Sequence, residues 1–259
     1  MNPKLEPLLQ LPNTWQASRG PRLQAGLATG YEALDKTLHQ GGWPRAATTE
    51  LLLEQPGIGE LRLLLPTLAR RQQKAHWMVL IDPPWQPFAP GLQQAGIDLQ
   101  RLLIIRPGNL KELLWCADQC LASGNCSAVL TWSIGKPLLD RDLRRLQQSA
   151  TSGNCWHVLL RHQREQHNTS PSALRIALQP AADSHLQLHI LKQRGGWSGQ
   201  TVTLLPHDQP RPQPREQPVY LGPLPEAVLL GHEQNTSPTR SSKVTSLTER
   251  AANLPSALA

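Results

Sequence analysis

The sequence predicts an α/β protein built on a mostly parallel twisted sheet flanked by helices, and three observations carry that expectation. Short apolar runs recur at 48–54, 76–81, 102–105, 127–132 and 155–160, unbroken in the way of strands buried on both faces. The segments between them show helical spacing. The junctions carry Gly, Pro and Asn. Strands alternating with helices in this manner form βαβ units and a parallel sheet.

Each element can be justified in order. Thr48 to Glu54 is a strand ended by Gln55-Pro56-Gly57. Gly59 to Lys74 follows as a helix with leucines on one face and Arg70, Arg71 and Lys74 at its end, where positive charge suits the helix dipole. His76 to Ile81 is a strand closed by Asp82-Pro83-Pro84. Phe88 to Ala95 is a helix stopped by Gly96. Leu102 to Ile105 is a strand stopped at Pro107-Gly108. Asn109 caps a helix running to Ala122, and Gly124 is its stop signal. Ser127 to Trp132 is a strand, Leu138 to Ala150 a helix carrying Arg141, Arg144 and Arg145, and Cys155 to Leu160 a strand. After Arg161 the pattern turns to alternation. Ala173 to Gln179 and Ser184 to Leu191 read as an antiparallel hairpin at the sheet edge, with Gln200 to Leu205 as a candidate further strand.

This divides the chain into an N-terminal arm (1–28), a folded body (29–205) and a tail (206–259). Five prolines between 206 and 218 predict an extended or disordered spacer. Beyond it lie two apolar islands. One holds Tyr220, Leu221, Leu224, Leu229 and Leu230; the other runs from Val244 to Leu258 near helical spacing. Such islands either fold on a partner or pack back on the body.

Composition narrows the function classes. No run of 18 apolar residues occurs among the 259, so no membrane span is expected. The start, Met1 to Gln10, lacks the basic and apolar pattern of a secretory signal, which points to a cytoplasmic protein. The four cysteines, Cys116, Cys120, Cys126 and Cys155, lie in helix or strand patterns without zinc-site spacing and read as reduced core thiols. The net charge is +7. Residues 206–259 hold five basic and five acidic side chains, so the whole excess lies in the rest of the chain. A basic body suits nucleic acid or an acidic partner, or serves only solubility.

A strand, a Gly-containing turn and a helix N-terminus form the place where phosphate binds. A working P-loop there needs G-x-x-x-x-G-K-[ST], with Lys neutralising the outer phosphates and Ser or Thr holding magnesium. This chain has Gly57 and Gly59, then Glu60 and Leu61. A carboxylate repels phosphate and leucine cannot ligate a metal.

At this point a family resemblance enters. Thr29 to Asp35 (TGYEALD) and Gly41 to Pro44 (GGWP) resemble the lead-in to the RecA fold. Ile81 to Pro84 looks like the segment carrying its catalytic Glu. Gly96 to Leu103 looks like its G-V-D turn, and Ala128 to Ser133 like its Walker B strand. Ser172 to Arg175 resembles the strand after its second DNA-binding loop, so the likeness covers residues 29–205. Pro84 stands where the water-activating Glu would be, and Trp132 where the Walker B Asp would be. The resemblance therefore implies a degenerate ATPase, with no hydrolysis, no cofactor and no metal.

Two groups with such a body are similar to this chain. ImuA-type accessory proteins of SOS-induced translesion DNA synthesis imply an ImuB-like Y-family protein, an error-prone C-family polymerase complex and RecA as partners. SulA-type inhibitors of cell division imply FtsZ instead. Leu63 to Leu68 and Gly124 to Trp132 resemble SulA closely. The lead-in at 29–44 and the basic ending Lys192-Gln193-Arg194-Gly195-Gly196 favour the ImuA type, which makes the adaptor the main expectation and FtsZ inhibition the alternative. A third rival is a working ATPase with an unusual site.

Several surfaces are candidates for contact. The segment from His162 to Ser172 corresponds to a loop that touches single-stranded DNA in RecA, and Arg161, Arg164 and His167 could meet phosphates there. Without aromatics to stack bases, an ordinary solvated loop is the simpler expectation. Lys192 and Arg194 and the helix arginines 141, 144 and 145 are further candidates for DNA or partner contact, or plain solvated faces. Of the eight tryptophans, Trp77, Trp132 and Trp156 are expected in the core, whereas Trp85 is expected to plug the empty nucleotide site or to serve a partner.

Overall fold

The computed structural model describes residues 25–72 and 76–206. It is a mixed α/β architecture with a single eight-stranded, mostly parallel sheet and helices on both faces. The strands are β1 (Thr48–Leu53), β2 (Trp77–Ile81), β3 (Leu102–Ile105), β4 (Cys126–Trp132), β5 (Trp156–His162), β6 (Leu174–Pro180), β7 (Leu186–Gln193) and β8 (Thr201–Leu204). Their spatial order is β3-β2-β4-β5-β1-β6-β7-β8. β1 through β6 pair in parallel, and β7 and β8 close the sheet antiparallel. The hairpin read at 173–191 is therefore not at the edge. β6 pairs with β1 on its other side, and β8 takes the edge.

The strand period explains the layering. Met78 and Leu80 on β2, and Ala128, Leu130 and Trp132 on β4, enter one core together with Leu63, Leu64 and Leu68 of α2 (Glu60–Arg71). The alternate residues Val79, Ile81 and Val129 enter a second core against α4 (Leu110–Ala122) and α5 (Asp140–Ser152). Two short helices, α1 (Glu32–Thr37) and α3 (Ala89–Gln94), complete the set.

Local signals act as the sequence implies. The Asn109 side chain accepts from Glu112 N–H at 2.9 Å to start α4, and Gly124 follows its end at φ +71°. The helix expected from Leu138 begins at Asp140 instead, and Lys74 of the expected first-helix terminus lies outside the described residues. Trp77 was expected in the core. It is 42% exposed, because it stands at the very start of β2.

The lead-in segment is an integral part of the body. Leu27 and Trp43 form an antiparallel bridge. Trp43 is fully buried, stacks on Trp156 with ring centroids 5.8 Å apart, and donates its indole N–H to Thr67 Oγ1 at 3.1 Å. Gly42 permits this approach, since a Cβ there would stand 2.1 Å from the Leu27 carbonyl oxygen.

Candidate functional site

β1 ends at Leu53, the chain turns through 54–59, and α2 starts at Glu60. Gly57 and Gly59 both have positive φ, +90° and +111°, a conformation that aims successive N–H groups into one concavity. In a phosphate site an anion would accept from those groups. Here the carboxylate of Glu60 does. Gly57 N–H donates to its two oxygens at 2.9 and 3.0 Å, and Gly59 N–H donates at 3.2 Å. The Glu60 residue is only 4% exposed. Glu60 was expected to repel phosphate; the geometry adds that its carboxylate takes the turn's N–H donors for itself. A negative side chain in the first turn also suits the positive end of α2.

The turn forms one wall of a cleft of about 440 Å³ at the carboxyl ends of β1, β2 and β4. That is where open α/β sheets place ligands. Leu61, Pro84, Trp85 and Trp132 line it too, so three separate segments of the chain meet there. Trp85 does not act as a buried plug. It is 60% exposed, and its ring lies over Gly57. Asp82, the carboxylate just before this wall, is ion-paired with Lys136.

Removing the internal anion has a predictable cost. Glu60→Ala should destabilise the body by about 1–3 kcal/mol, because two converging N–H groups lose a charged acceptor. Sulfate should then raise the melting temperature of the variant more than that of the parent, by refilling the concavity. Equal sulfate responses in a thermal melt would contradict the assignment.

The segment after β5 departs from expectation. Arg161 is 2% exposed and faces the interior, not solvent, so it is not placed to meet a phosphate. Its guanidinium contacts Glu50 Oε2 at 3.4 Å and Glu165 Oε2 at 2.7 Å. Glu50, fully buried on β1, also accepts from Arg175 Nε at 3.1 Å and from the Ser172 and Ser170 hydroxyls. Arg175 donates on to the carbonyls of Glu165 and Asn168, at 2.8 and 2.9 Å. The stretch 163–172 is thus a 3₁₀ turn (Gln163–His167) and a loop tied down from beneath. Arg164 and His167 remain exposed on it.

Most of the other proposed cations have partners. Lys192 Nζ donates to Ser170 O at 2.5 Å, and Arg194 reaches Pro171 O at 3.4 Å. On α5, Arg144 pairs with Asp140 and Arg145 with Asp118, both at 2.6 Å, and Arg141 lies 3.8 Å from Asp142. The hydrogen bond from Arg145 holds the Asp118 carboxyl below the usual carboxylate range. Arg70 and Arg71 donate to the carbonyls of Ala28 and Ser127, which fastens α2 to its neighbours. All four cysteines are free thiols, and the described residues contain no cluster of three or more metal-ligating side chains. No described helix is long and apolar enough to cross a membrane. Tyr220, Leu221, Leu224, Leu229 and Leu230 lie outside the described residues.

Comparison with known proteins bears on this site. Residues 46–157 match the family model described as cell division inhibitor SulA. The chain is 28% identical over 99 residues to the cell division inhibitor SulA of Pectobacterium carotovorum, covering 38% of this chain and 58% of that protein. It is 30% identical over 104 residues to SulA of Edwardsiella piscicida, covering 40% and 61%. It is 29% identical over 117 residues to SulA of Photorhabdus laumondii, covering 45% and 65%. The chain thus spans about three fifths of the length of these relatives. The family match includes the Glu60 turn and Trp132; the Leu27–Trp43 lead-in and β6 to β8 lie outside it.

Proposed function

We propose that this chain is a non-catalytic regulator that acts by gripping another protein, and that its target is FtsZ, as in a SulA-like inhibitor of cell division. The observation that carries this reading is the Glu60 carboxylate seated on the Gly57 and Gly59 N–H groups, inside the stretch that matches the SulA family. A RecA-type body with its phosphate turn occupied by its own side chain has no use for ATP. Leu61, Pro84 and Trp132 supply neither a metal ligand nor a base. What remains is a rigid shape with exposed arginines and aromatics, acting in the cytoplasm. In a sedimentation assay, the purified chain is expected to lower GTP-driven FtsZ polymer in proportion to the amount added. Unchanged polymer at molar excess would overturn the reading.

A second reading is favoured by the elements outside the family match. The buried Trp43 lead-in and the β6–β8 extension belong to the body, and their sequences are those that resemble ImuA-type proteins. Under this reading the chain is an adaptor of translesion synthesis. It binds an ImuB-like Y-family protein and, through it, a C-family polymerase, with RecA as a further partner. Capture of ImuB with no effect on FtsZ polymer would select it.

A further inference from the structure

Trp132 lines the cleft beside Glu60 and carries an unmet hydrogen-bond donor. Among the described residues, Trp132 Nε1 is the buried side-chain nitrogen or oxygen without a partner. The other deeply buried indoles are satisfied: Trp43 donates to Thr67 and Trp156 to Thr49. A buried N–H without an acceptor is destabilising, and an incoming carbonyl would recover that loss. The lining is rich in proline, with Arg62, Gln86, Ser184 and His185 as its polar side chains beside Glu60. Pro83, Pro84, Pro87, Pro180 and Pro206 line the same cleft, and none has an N–H to offer. Trp85 adds an exposed aromatic face. Proline walls, an aromatic face and an unmet indole donor suit an extended, proline-rich peptide, whose carbonyls are free to accept.

The described chain ends at this cleft. Pro206 lines it, and the buried Tyr31 hydroxyl donates to the Pro206 carbonyl at 3.4 Å. The sequence continues through 207–215 as H-D-Q-P-R-P-Q-P-R, with prolines at 210, 212 and 214. At about 3.1 Å per residue, a polyproline run needs only a few residues from Pro206 to cross the opening.

We propose that residues 209–215 of this chain occupy the cleft in cis, with a carbonyl of the proline run accepting from Trp132 Nε1 and an intervening arginine lying over Trp85. The degenerate nucleotide site would then be an intramolecular peptide site.

The test is NMR of the indole N–H signals in the full chain, with Trp132 and Trp85 assigned through Trp132→Phe and Trp85→Phe. A triple variant, Pro210→Ala, Pro212→Ala and Pro214→Ala, leaves the cleft untouched. It is expected to move both signals and to speed solvent exchange of the Trp132 N–H by at least about tenfold. A free peptide of sequence 207–215 added to that variant should restore both. Unchanged signals in the triple variant would overturn the proposal. So would signals in the parent that shift on dilution, which would place a second copy in the cleft instead.

Discussion

Glu50→Ala is expected to lower the stability of the body by about 3–5 kcal/mol, the usual cost of removing one partner from a buried ion network. Glu50 is fully buried, and Arg161 and Arg175, at 2% and 5% exposure, would be left facing the space that its carboxylate had filled. Arg161 would keep Glu165, and Arg175 would keep its carbonyl acceptors, so the loss should fall short of two unpaired charges. The effect should appear as a lower urea midpoint with little change in the denaturant slope. Replacing the three charges together (Glu50→Leu, Arg161→Met, Arg175→Leu) should recover most of the loss, since apolar packing often matches a buried ion triad. The single variant should also make the 163–172 segment the first site of limited proteolysis, because Ser170, Ser172 and the Arg175 contacts anchor it from beneath. A midpoint shift worth under about 1 kcal/mol would mean that the network is ornamental. Whatever this loop presents to a partner, Arg164 and His167 included, depends on Glu50.

That network also marks where the sequence stops being legible. The strands, the Asn109 cap and the Gly124 stop could be read because each depends on neighbours within a few positions. Gly57, Glu60, Pro84 and Trp132 gather because each follows or ends a strand of the same parallel sheet at its carboxyl end. Arg161 was misread as solvent-facing because its partner stands 111 positions away, in a different strand. A usable signal was nevertheless present. Glu50 is the one charge within β1, followed by three leucines, and a carboxylate inside a buried strand demands cations from the adjacent strands. β5 and β6 are those neighbours, and each carries one inward arginine. Glu60 was expected to repel phosphate, but its bond to the N–H groups of its own turn was not foreseen. That bond arises only when two left-handed glycines bring their N–H groups beneath the first turn of α2. Trp77 was misassigned for a simpler reason: an apolar run tells nothing about which of its ends projects past the helices that cover it.

The body should lose stability between pH 6.5 and about pH 3 through one histidine. His157 on β5 is fully buried, its Nδ1 3.0 Å from Thr48 Oγ1 and its Nε2 3.3 Å from Thr131 Oγ1. Burial lowers its pKa from 6.5 to about 3. Above pH 6.5 both folded and unfolded chains carry it neutral, so its contribution is fully present. Between the two values the unfolded chain takes up a proton that the folded chain refuses, and stability falls with pH. The full swing is about 5 kcal/mol, of which roughly 2–3 kcal/mol should be visible by pH 4.5. His157→Asn cannot take up that proton, so its urea midpoint should fall less steeply than that of the parent over this range. Every other ionisable group is common to both proteins and cancels in the difference. Parallel pH profiles would show that the imidazole is protonated in place, with Thr48 and Thr131 both accepting from it. The outcome also bears on the partner assays. Below pH 6 a fraction of the sheet's centre, where β5 lies between β1 and β4, would open, and FtsZ or ImuB binding measured there would read unfolding as lost affinity.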